Sequence, residues 1–173
     1  MRQITWMASL AFAISPSIVH GQPVVDVTAQ NQQVVRENLA KINRGDAKGA
    51  ASDWAEDAQN FGRAAGPERI QRVLEDILTT FPDYHMEIVE MVAAGDVVVV
   101  RCNVTGTHQG VGKLSVNGGM LVGVEATGKR HEIAHIHWYT LRNGKIVSQY
   151  ATRDDLGMMR QLGLIPSSIA APQ

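Results

Sequence analysis

Six side chains that can exchange protons or donate hydrogen bonds are spaced two residues apart on either side of one Asn-Gly pair near the end of the chain. They are His135, His137, Tyr139, Tyr150, Thr152 and Asp154. If they converge on one surface, they place a carboxylate, two imidazoles, two phenols and a hydroxyl around a common point. Such a set can move protons to and from a bound molecule.

The position of these side chains depends on the turn at Asn143-Gly144. Asn-Gly between two β-branched runs predicts a hairpin with a two-residue loop. That register pairs His137 with Tyr150 and His135 with Thr152. Because paired residues share a face and side chains alternate along a strand, all six side chains are expected on one face. A three-residue turn would shift the register by one residue and separate the histidines from the carboxylate.

The segments before this hairpin predict three helices and a second hairpin. Helical spacing of apolar residues indicates helices over 26–44 and 46–57, and a third that starts at Pro67 and ends before Pro82. Alternating and β-rich runs then predict paired strands from Tyr84 to His108. Helices followed by antiparallel strands are typical of an α+β fold, in which the helices cover one face of a curved sheet. The last strands would line a cone-shaped cavity.

The composition predicts an ordinary globular domain. The chain has 173 residues, of which 45% are hydrophobic and 19% charged, with a net charge of −1. We expect one domain over 22–166 and a disordered tail over 167–173. Clustered basic residues, which a nucleic-acid surface requires, are absent from the sequence. Cys102 is in phase with valines on a strand and is predicted to be a buried hydrophobic residue.

The first 21 residues predict a secretory signal peptide. A basic start at Arg2 is followed by an apolar run and by small residues up to Gly21, after which cleavage is expected. The run is short for a membrane span and is interrupted by Ser15-Pro16-Ser17. The protein is therefore expected to be periplasmic or secreted, without membrane contact once the signal is removed. An uncleaved anchor and an apolar start without function are the alternatives.

Three short motifs in a fixed order carry a family resemblance. They are Phe81-Pro82-Asp83, Gly106-Thr107-His108, and an acid followed by LGMMRQLG. Over roughly 34–166 the chain resembles the SnoaL-like polyketide (ester) cyclase family of the nuclear-transport-factor-2-like superfamily. The resemblance implies a cone-shaped α+β barrel, a homodimer or higher oligomer, and cofactor-free chemistry on a hydrophobic carbonyl substrate.

The resemblance also implies a mechanism and its residues. Enzymes of this family close a ring by intramolecular aldol condensation, with a carboxylate as general acid/base. By motif that acid falls on Asp154, or on the adjacent Asp155, and the family histidine falls on His137. Burial in an apolar cone would raise the pKa of an aspartate above its ordinary value of about 3.9 and make it a useful base. The residues expected to bind substrate are His135, Tyr150, Asn60, His108 and Thr152, and Asn60 stands where the family more often has histidine.

Three alternatives stay open on the sequence. Asp154 precedes a short helix and could cap it, and His137 could be an ordinary core histidine. His135 and His137 could instead bind a metal ion together with Asp154, as a two-histidine, one-carboxylate site. The protein could also be an exported binding protein that holds a hydrophobic small molecule in the same cone without converting it.

Overall fold

The computed structural model describes residues 26–114 and 120–166. Within these ranges the chain forms four helices and six strands. The helices are α1 (Val27–Asn43), α2 (Ala47–Ala51), α3 (Pro67–Thr80) and α4 (Asp155–Gln161). The strands are β1 (Trp54–Asn60), β2 (Arg63–Ala64), β3 (His85–Ala94), β4 (Val97–Thr107), β5 (Arg130–Arg142) and β6 (Lys145–Arg153).

The two long helices begin where their sequences predict. The side chain of Asp26 accepts the N–H of Thr28 at 3.0 Å and caps α1. Pro67 opens α3, where its missing N–H leaves no intrahelical bond unmade. The apolar face of α3 then buries Ile70 and Leu74 against the sheet side of the molecule. Local propensity and amphipathic spacing therefore agree with the tertiary fold here.

The predicted helix over 46–57 is too long. Helix α2 ends at Ala51, and Trp54 already belongs to β1. Strand β1 pairs in parallel with β6, and the N–H of Ile146 donates to the carbonyl of Asp53 at 2.9 Å. Pairing with a strand about ninety residues away thus decides the conformation of this segment, which local helix propensity could not predict.

The sheet is curved, mixed and unclosed. Its order is β2-β1-β6-β5-β4-β3, and all neighbours are antiparallel except β1 and β6. Side-chain amides tie helix α1 to β3 and to the turn after it, because Asn43 donates to the carbonyl of Met86 and Asn31 to that of Gly95, both at 3.0 Å. The predicted α+β fold with helices covering a curved sheet is confirmed.

The inner face of the sheet forms the core with the helices. Residues alternate strictly along β4, where Val98, Val100, Cys102 and Val104 are fully buried. Cys102 is therefore the buried hydrophobic residue that its spacing predicted. Burial raises the pKa of its thiol to about 11, so that it stays protonated at neutral pH.

The register of the β5–β6 hairpin shifts by one residue at Val147, three residues after the turn. Asn143 and Gly144 have φ values of 52° and 71°, as a two-residue hairpin turn requires, and Arg142 pairs with Lys145 as predicted. Beyond Leu141, however, the pairing shifts by one residue, because Val147 is an extra residue on β6 with no partner on β5. This β-bulge places His137 opposite Ala151 instead of Tyr150.

Two predictions fall on parts of the chain outside the described residues. These are the signal peptide over 1–21 and the disordered tail over 167–173. Among the helices in 26–114 and 120–166, none is both long and apolar enough to span a membrane.

Candidate functional site

A cavity of about 410 Å³ lies between the inner face of the sheet and helices α1 and α3. Its wall is mostly aliphatic and aromatic, with a small number of polar side chains, which is the usual character of a small-molecule site. The apolar wall includes Ile42, Trp54, Phe61, Ile70, Val73, Leu74, Ile77, Met86 and Ala151. The polar and aromatic polar lining consists of Asn38, Asn60, Arg63, Arg69, Tyr84, His135, His137, Tyr139, Gln149 and Arg153.

Three polar side chains at the cavity wall form a buried hydrogen-bond chain. Gln149 Nε2 lies 2.7 Å from His137 Nδ1, and His137 Nε2 lies 3.3 Å from His135 Nδ1. His135 and His137 alternate on β5, so both face inward, and Gln149 joins them from β6. The ring of Tyr139 stacks on that of His137 with a centroid distance of 5.9 Å and fixes its plane.

The direction of this chain fixes the tautomer of each histidine. The Gln149 amide nitrogen only donates, so His137 Nδ1 accepts and His137 carries its proton on Nε2. That proton is donated to His135 Nδ1, which leaves the His135 proton on Nε2. His135 Nε2 is buried and has no hydrogen-bond partner among the described residues. The chain therefore ends in an N–H donor without a partner, on a residue that lines the cavity.

Both histidines are neutral at physiological pH. Burial lowers the pKa of His135 to about 3, and the neighbouring His137 and Arg153 lower it further. Burial lowers the pKa of His137 to about 4, with a smaller contribution from the charge of Arg153. An imidazole with so low a pKa is a poor base, but it remains a good hydrogen-bond donor through its N–H.

A second unpaired polar atom comes from the adjacent strand β1, where Asn60 pairs with Gln149. Asn60, at the end of β1, lines the cavity, and its Oδ1 is buried without a hydrogen-bond partner in the described part of the chain. A buried polar atom left unpaired costs about 1 to 3 kcal/mol, which a ligand group can recover. Two residues that line the cavity, His135 and Asn60, therefore each carry one unpaired buried polar atom, a donor and an acceptor respectively.

The structure brings together only part of the predicted site. His135, His137 and Asn60 line the cavity, as expected. Tyr150 and Thr152 do not line it, because the bulge at Val147 places them on the outer face of the sheet, where both are exposed. The prediction that these two residues share a face with the histidines is wrong for that reason.

His108 is also separate from the cavity. It is fully buried, but it packs against Phe81 and lies 3.3 Å from the Thr127 hydroxyl through Nδ1. The prediction of His108 as a substrate-binding residue is not supported by its position, because the long strand β4 ends beyond the cavity, at Thr107.

Asp154 does not face the cavity. It is exposed, and its Oδ1 accepts the N–H of Gly157 at 2.8 Å, which makes it the N-cap of α4. The predicted register with Asp154 beside His137 is wrong, and the capping alternative is confirmed. The two-histidine, one-carboxylate metal arrangement fails with it, since it needed Asp154 on the inner face.

Asp155 is the acid that approaches the cavity from this segment. Its Oδ2 lies 3.2 Å from the guanidinium of Arg153, which lines the cavity, and its Oδ1 is buried without a partner among the described residues. Asp155 is not itself a lining residue. The side chain of Arg153 also lies over the ring of Phe61, with its guanidinium carbon 5.7 Å from the ring centroid.

Sequence reasoning missed Gln149 and Arg153. Both lie on β6 beyond the bulge, and an unbroken alternation from the turn would place them on the outer face. The hydrophobic pattern of β6 gave only a weak signal, because both alternating sets contain apolar side chains: Ile146 and Tyr150 in one set, and Val147 and Ala151 in the other.

Comparisons with known proteins agree with this architecture. The sequence model of the SnoaL-like polyketide cyclase family matches residues 32–162. The comparison with curated proteins gives no match. Among solved structures, AclR from Streptomyces galilaeus, a proposed hydroxylase, is 25% identical with a TM-score of 0.67, and the match covers 83% of this chain and 87% of that chain.

Two further solved structures are similar over nearly their whole length. IdmH from Streptomyces antibioticus, a proposed polyketide cyclase, is 25% identical with a TM-score of 0.62, and the match covers 78% of this chain and 99% of that chain. TsrD from Streptomyces laurentii is 24% identical with a TM-score of 0.67, with 79% and 97% covered. Because the family model spans most of the chain and the fold agrees, the protein belongs to the SnoaL-like polyketide cyclase family.

Proposed function

We propose that the cavity binds a hydrophobic, enolisable carbonyl compound and converts it by proton transfer, as a cyclase or isomerase. The observation that carries this proposal is the buried chain from Gln149 through His137 to the free N–H of His135. Membership of a polyketide cyclase family supports the reaction class, and the mostly apolar wall supports a hydrophobic substrate.

The role of His135 in this proposal is to stabilise negative charge on the substrate oxygen. When a proton leaves the carbon next to a carbonyl, charge develops on the carbonyl oxygen. A preorganised N–H in a water-poor cavity stabilises that charge without reorganisation, and loss of one such donor typically reduces the rate about 100- to 1,000-fold. His137 and Gln149 are positioning residues, because they fix the tautomer that presents this N–H.

Of the two acids that the sequence offered as proton acceptor, we propose the second. Asp154 caps α4, and no aspartate or glutamate is found among the cavity-lining residues in the described ranges. We assign the acceptor to Asp155, whose buried Oδ1 has no partner among the described residues and whose Oδ2 lies 3.2 Å from the cavity-lining Arg153. This assignment requires Arg153 to move aside when the substrate binds. The abstracted proton would then return from Asp155 to the product oxygen, or to carbon in an isomerisation.

The second candidate function is a binding protein that holds such a molecule without converting it. The absence of a carboxylate from the described cavity lining favours this candidate, because a substrate would find no base in direct contact. Under this function the His135 N–H and the side-chain oxygen of Asn60 would orient the ligand. The protons of the ligand would exchange with solvent at the uncatalysed rate.

Deuterium exchange of a simple ketone separates the two functions. We expect the protein to accelerate exchange at C1 of 2-tetralone in D₂O, followed by NMR, and His135→Gln to slow that exchange about 100-fold. Asp155→Asn should also slow it. Asp154→Asn is the matched control and should keep full activity, since asparagine caps helices as well as aspartate.

Three outcomes of this experiment would change the proposal. Binding of 2-tetralone without faster exchange would replace the enzyme proposal by the binding protein. Undiminished exchange in His135→Gln would remove His135 from the chemistry, and a loss in Asp154→Asn equal to that in Asp155→Asn would overturn the reassignment of the acid.

We also propose that the outer face of the sheet pairs with a second copy of the chain. Trp138, Ile136, Tyr150 and Val92 are each about half exposed, and Tyr150 lies directly opposite Trp138 on the neighbouring strand. A contiguous apolar patch across several strands is unusual on a monomer. Trp138 has two uncharged cross-strand neighbours, Val99 and Tyr150, so two identical patches can meet there about a two-fold axis without repulsion.

A further inference from the structure

Three arginines from three different elements line the cavity. Arg63 comes from β2, Arg69 from α3 and Arg153 from β6. Arg63, Arg69 and the nearby Phe61 are exposed, whereas His135 and His137 are buried. Arg63 and Arg69 therefore mark the mouth of the cavity, whereas Arg153, which pairs with His135 across the strands, lies beside the histidines at its floor.

The positive charge of the arginines that line the cavity is only partly balanced. Arg153 pairs with Asp155 at 3.2 Å. Neither Arg63 nor Arg69 has an acidic group within 4.0 Å in the described part of the chain. Two guanidinium groups are thus left unneutralised beside the same apolar opening. The chain as a whole carries a net charge of −1, so this is a local feature and not a general excess of basic residues.

Arginines without an acidic partner at the mouth of one cavity suggest a ligand that supplies the missing negative charge. The guanidinium group presents its N–H donors in a planar fork that matches a carboxylate with two parallel hydrogen bonds. Charge-assisted bonds of this kind are about twice as strong as neutral ones. A neutral hydrophobic ligand would enter the cavity without using either group.

We propose that the cavity selects apolar ligands that carry a single carboxylate, held at the mouth by Arg63 and Arg69. The apolar body would extend inward between Leu74 and Met86, and its carbonyl group would reach His135 on the floor. This inference rests on the proposed function of the cavity as a small-molecule site, and it narrows the substrate class from hydrophobic carbonyl compounds to hydrophobic keto acids.

A displacement assay tests the charge preference separately from the cavity. The neutral fluorophore N-phenyl-1-naphthylamine reports occupancy, and two competitors of similar shape displace it: 2-naphthoate, which carries a carboxylate, and 2-naphthalenemethanol, which does not. Ala151→Phe, which fills the cavity, shows that the fluorophore binds there. We expect 2-naphthoate to compete at about tenfold lower concentration in low salt, a preference that salt reduces by screening.

The arginine variants decide the assignment. In the Arg63→Gln/Arg69→Gln double variant, the two competitors should become about equal while the fluorophore still binds. Arg72→Gln is the matched control on the same helix, because Arg72 pairs with Glu68 and does not line the cavity; it should keep the full preference.

Two results would overturn the inference in distinguishable ways. Equal competition by both naphthalenes in the wild type, or an unchanged preference in the double variant, would refute the carboxylate site and leave the hydrophobic cavity standing. A fluorophore that fails to bind, or that binds equally to Ala151→Phe, would refute the small-molecule function of the cavity and this inference together.

Discussion

The two faces of the β5–β6 hairpin differ sharply although they share the same strands. The inner face carries His135, His137 and Gln149, which are buried and joined by hydrogen bonds. The outer face carries Trp138 and Tyr150, which are half exposed and apolar. One face therefore has the properties of a binding site, and the other those of a contact surface.

This difference shows that a single extra residue in a strand decides which side chains lie on which face of the sheet. From the turn to the pair Leu141–Ile146, the hairpin follows its predicted register. Beyond Val147, every residue of β6 lies on the face opposite to the predicted one. Arg153 thereby reaches the cavity, and Asp154 is left to cap a helix.

The largest expected effect comes from deleting a residue beyond the bulge. Deletion of Tyr150 shifts the register of the residues on one side of the gap by one position. The shift would either turn Ala151 and Arg153 outward or break the Gln149–His137 contact. We therefore expect a loss of about 3 to 5 kcal/mol in the free energy of unfolding. Deletion of Val147 removes the unpaired residue and preserves every observed pair from Thr140 to His135. It should cost much less, and urea denaturation compares the two variants.

A point substitution separates the loss of the Tyr150 side chain from the change of register. Tyr150→Ala removes the exposed phenol without changing the register, and it should alter stability by less than about 1 kcal/mol. If the Val147 and Tyr150 deletions were equally destabilising, register would not be the factor that sets the two faces apart.

The next effect is a loss of stability in mild acid that arises on the inner face. Burial lowers the pKa of His131 and His137 to about 4 and that of His135 to about 3, against about 6.5 when unfolded. Below pH 6.5 the unfolded chain binds protons that the folded chain does not, so stability falls as the pH decreases toward 4. At pH 5 the expected cost is about 2 kcal/mol for each fully buried neutral histidine.

Substitutions identify the source of this acid sensitivity. Both ring nitrogens of His131 are buried without partners in the described part of the chain, so His131→Leu should flatten the dependence of stability on pH without loss at pH 7.5. His85→Gln, at an exposed position, should leave the dependence unchanged. A wild-type protein equally stable at pH 5 and pH 7.5 would contradict the buried, neutral state of these histidines.

The smallest effect on folding is expected on the outer face. Trp138→Lys should change the unfolding free energy of the single chain by no more than about 0.5 kcal/mol, because the side chain is exposed. It should nevertheless convert the proposed dimer into a monomer, as measured by light scattering on a sizing column, since it places like charges at the centre of the interface. A wild-type monomer, or a dimer that survives Trp138→Lys, would remove the proposed role of this face.

Much of the fold could be predicted from local features. Pro67 and the apolar stripe of α3 predicted that helix, alternation predicted β3 and β4, and Asn143-Gly144 predicted the hairpin turn. Part of the site followed, because His135, His137 and Asn60 line the cavity. Gln149, Arg153 and the exposed position of Asp154 could not be predicted, since they depend on where β6 bulges.

The sequence by itself determined the α+β class, the family resemblance and the position of the last turn, because these depend on short-range pattern and on residues such as Asn143 and Gly144 that accept a positive φ. Only the tertiary structure decided which side of β6 faces inward. A bulge forms where a strand must bend to cover the helices beneath the sheet, and that bend depends on the packing of distant elements.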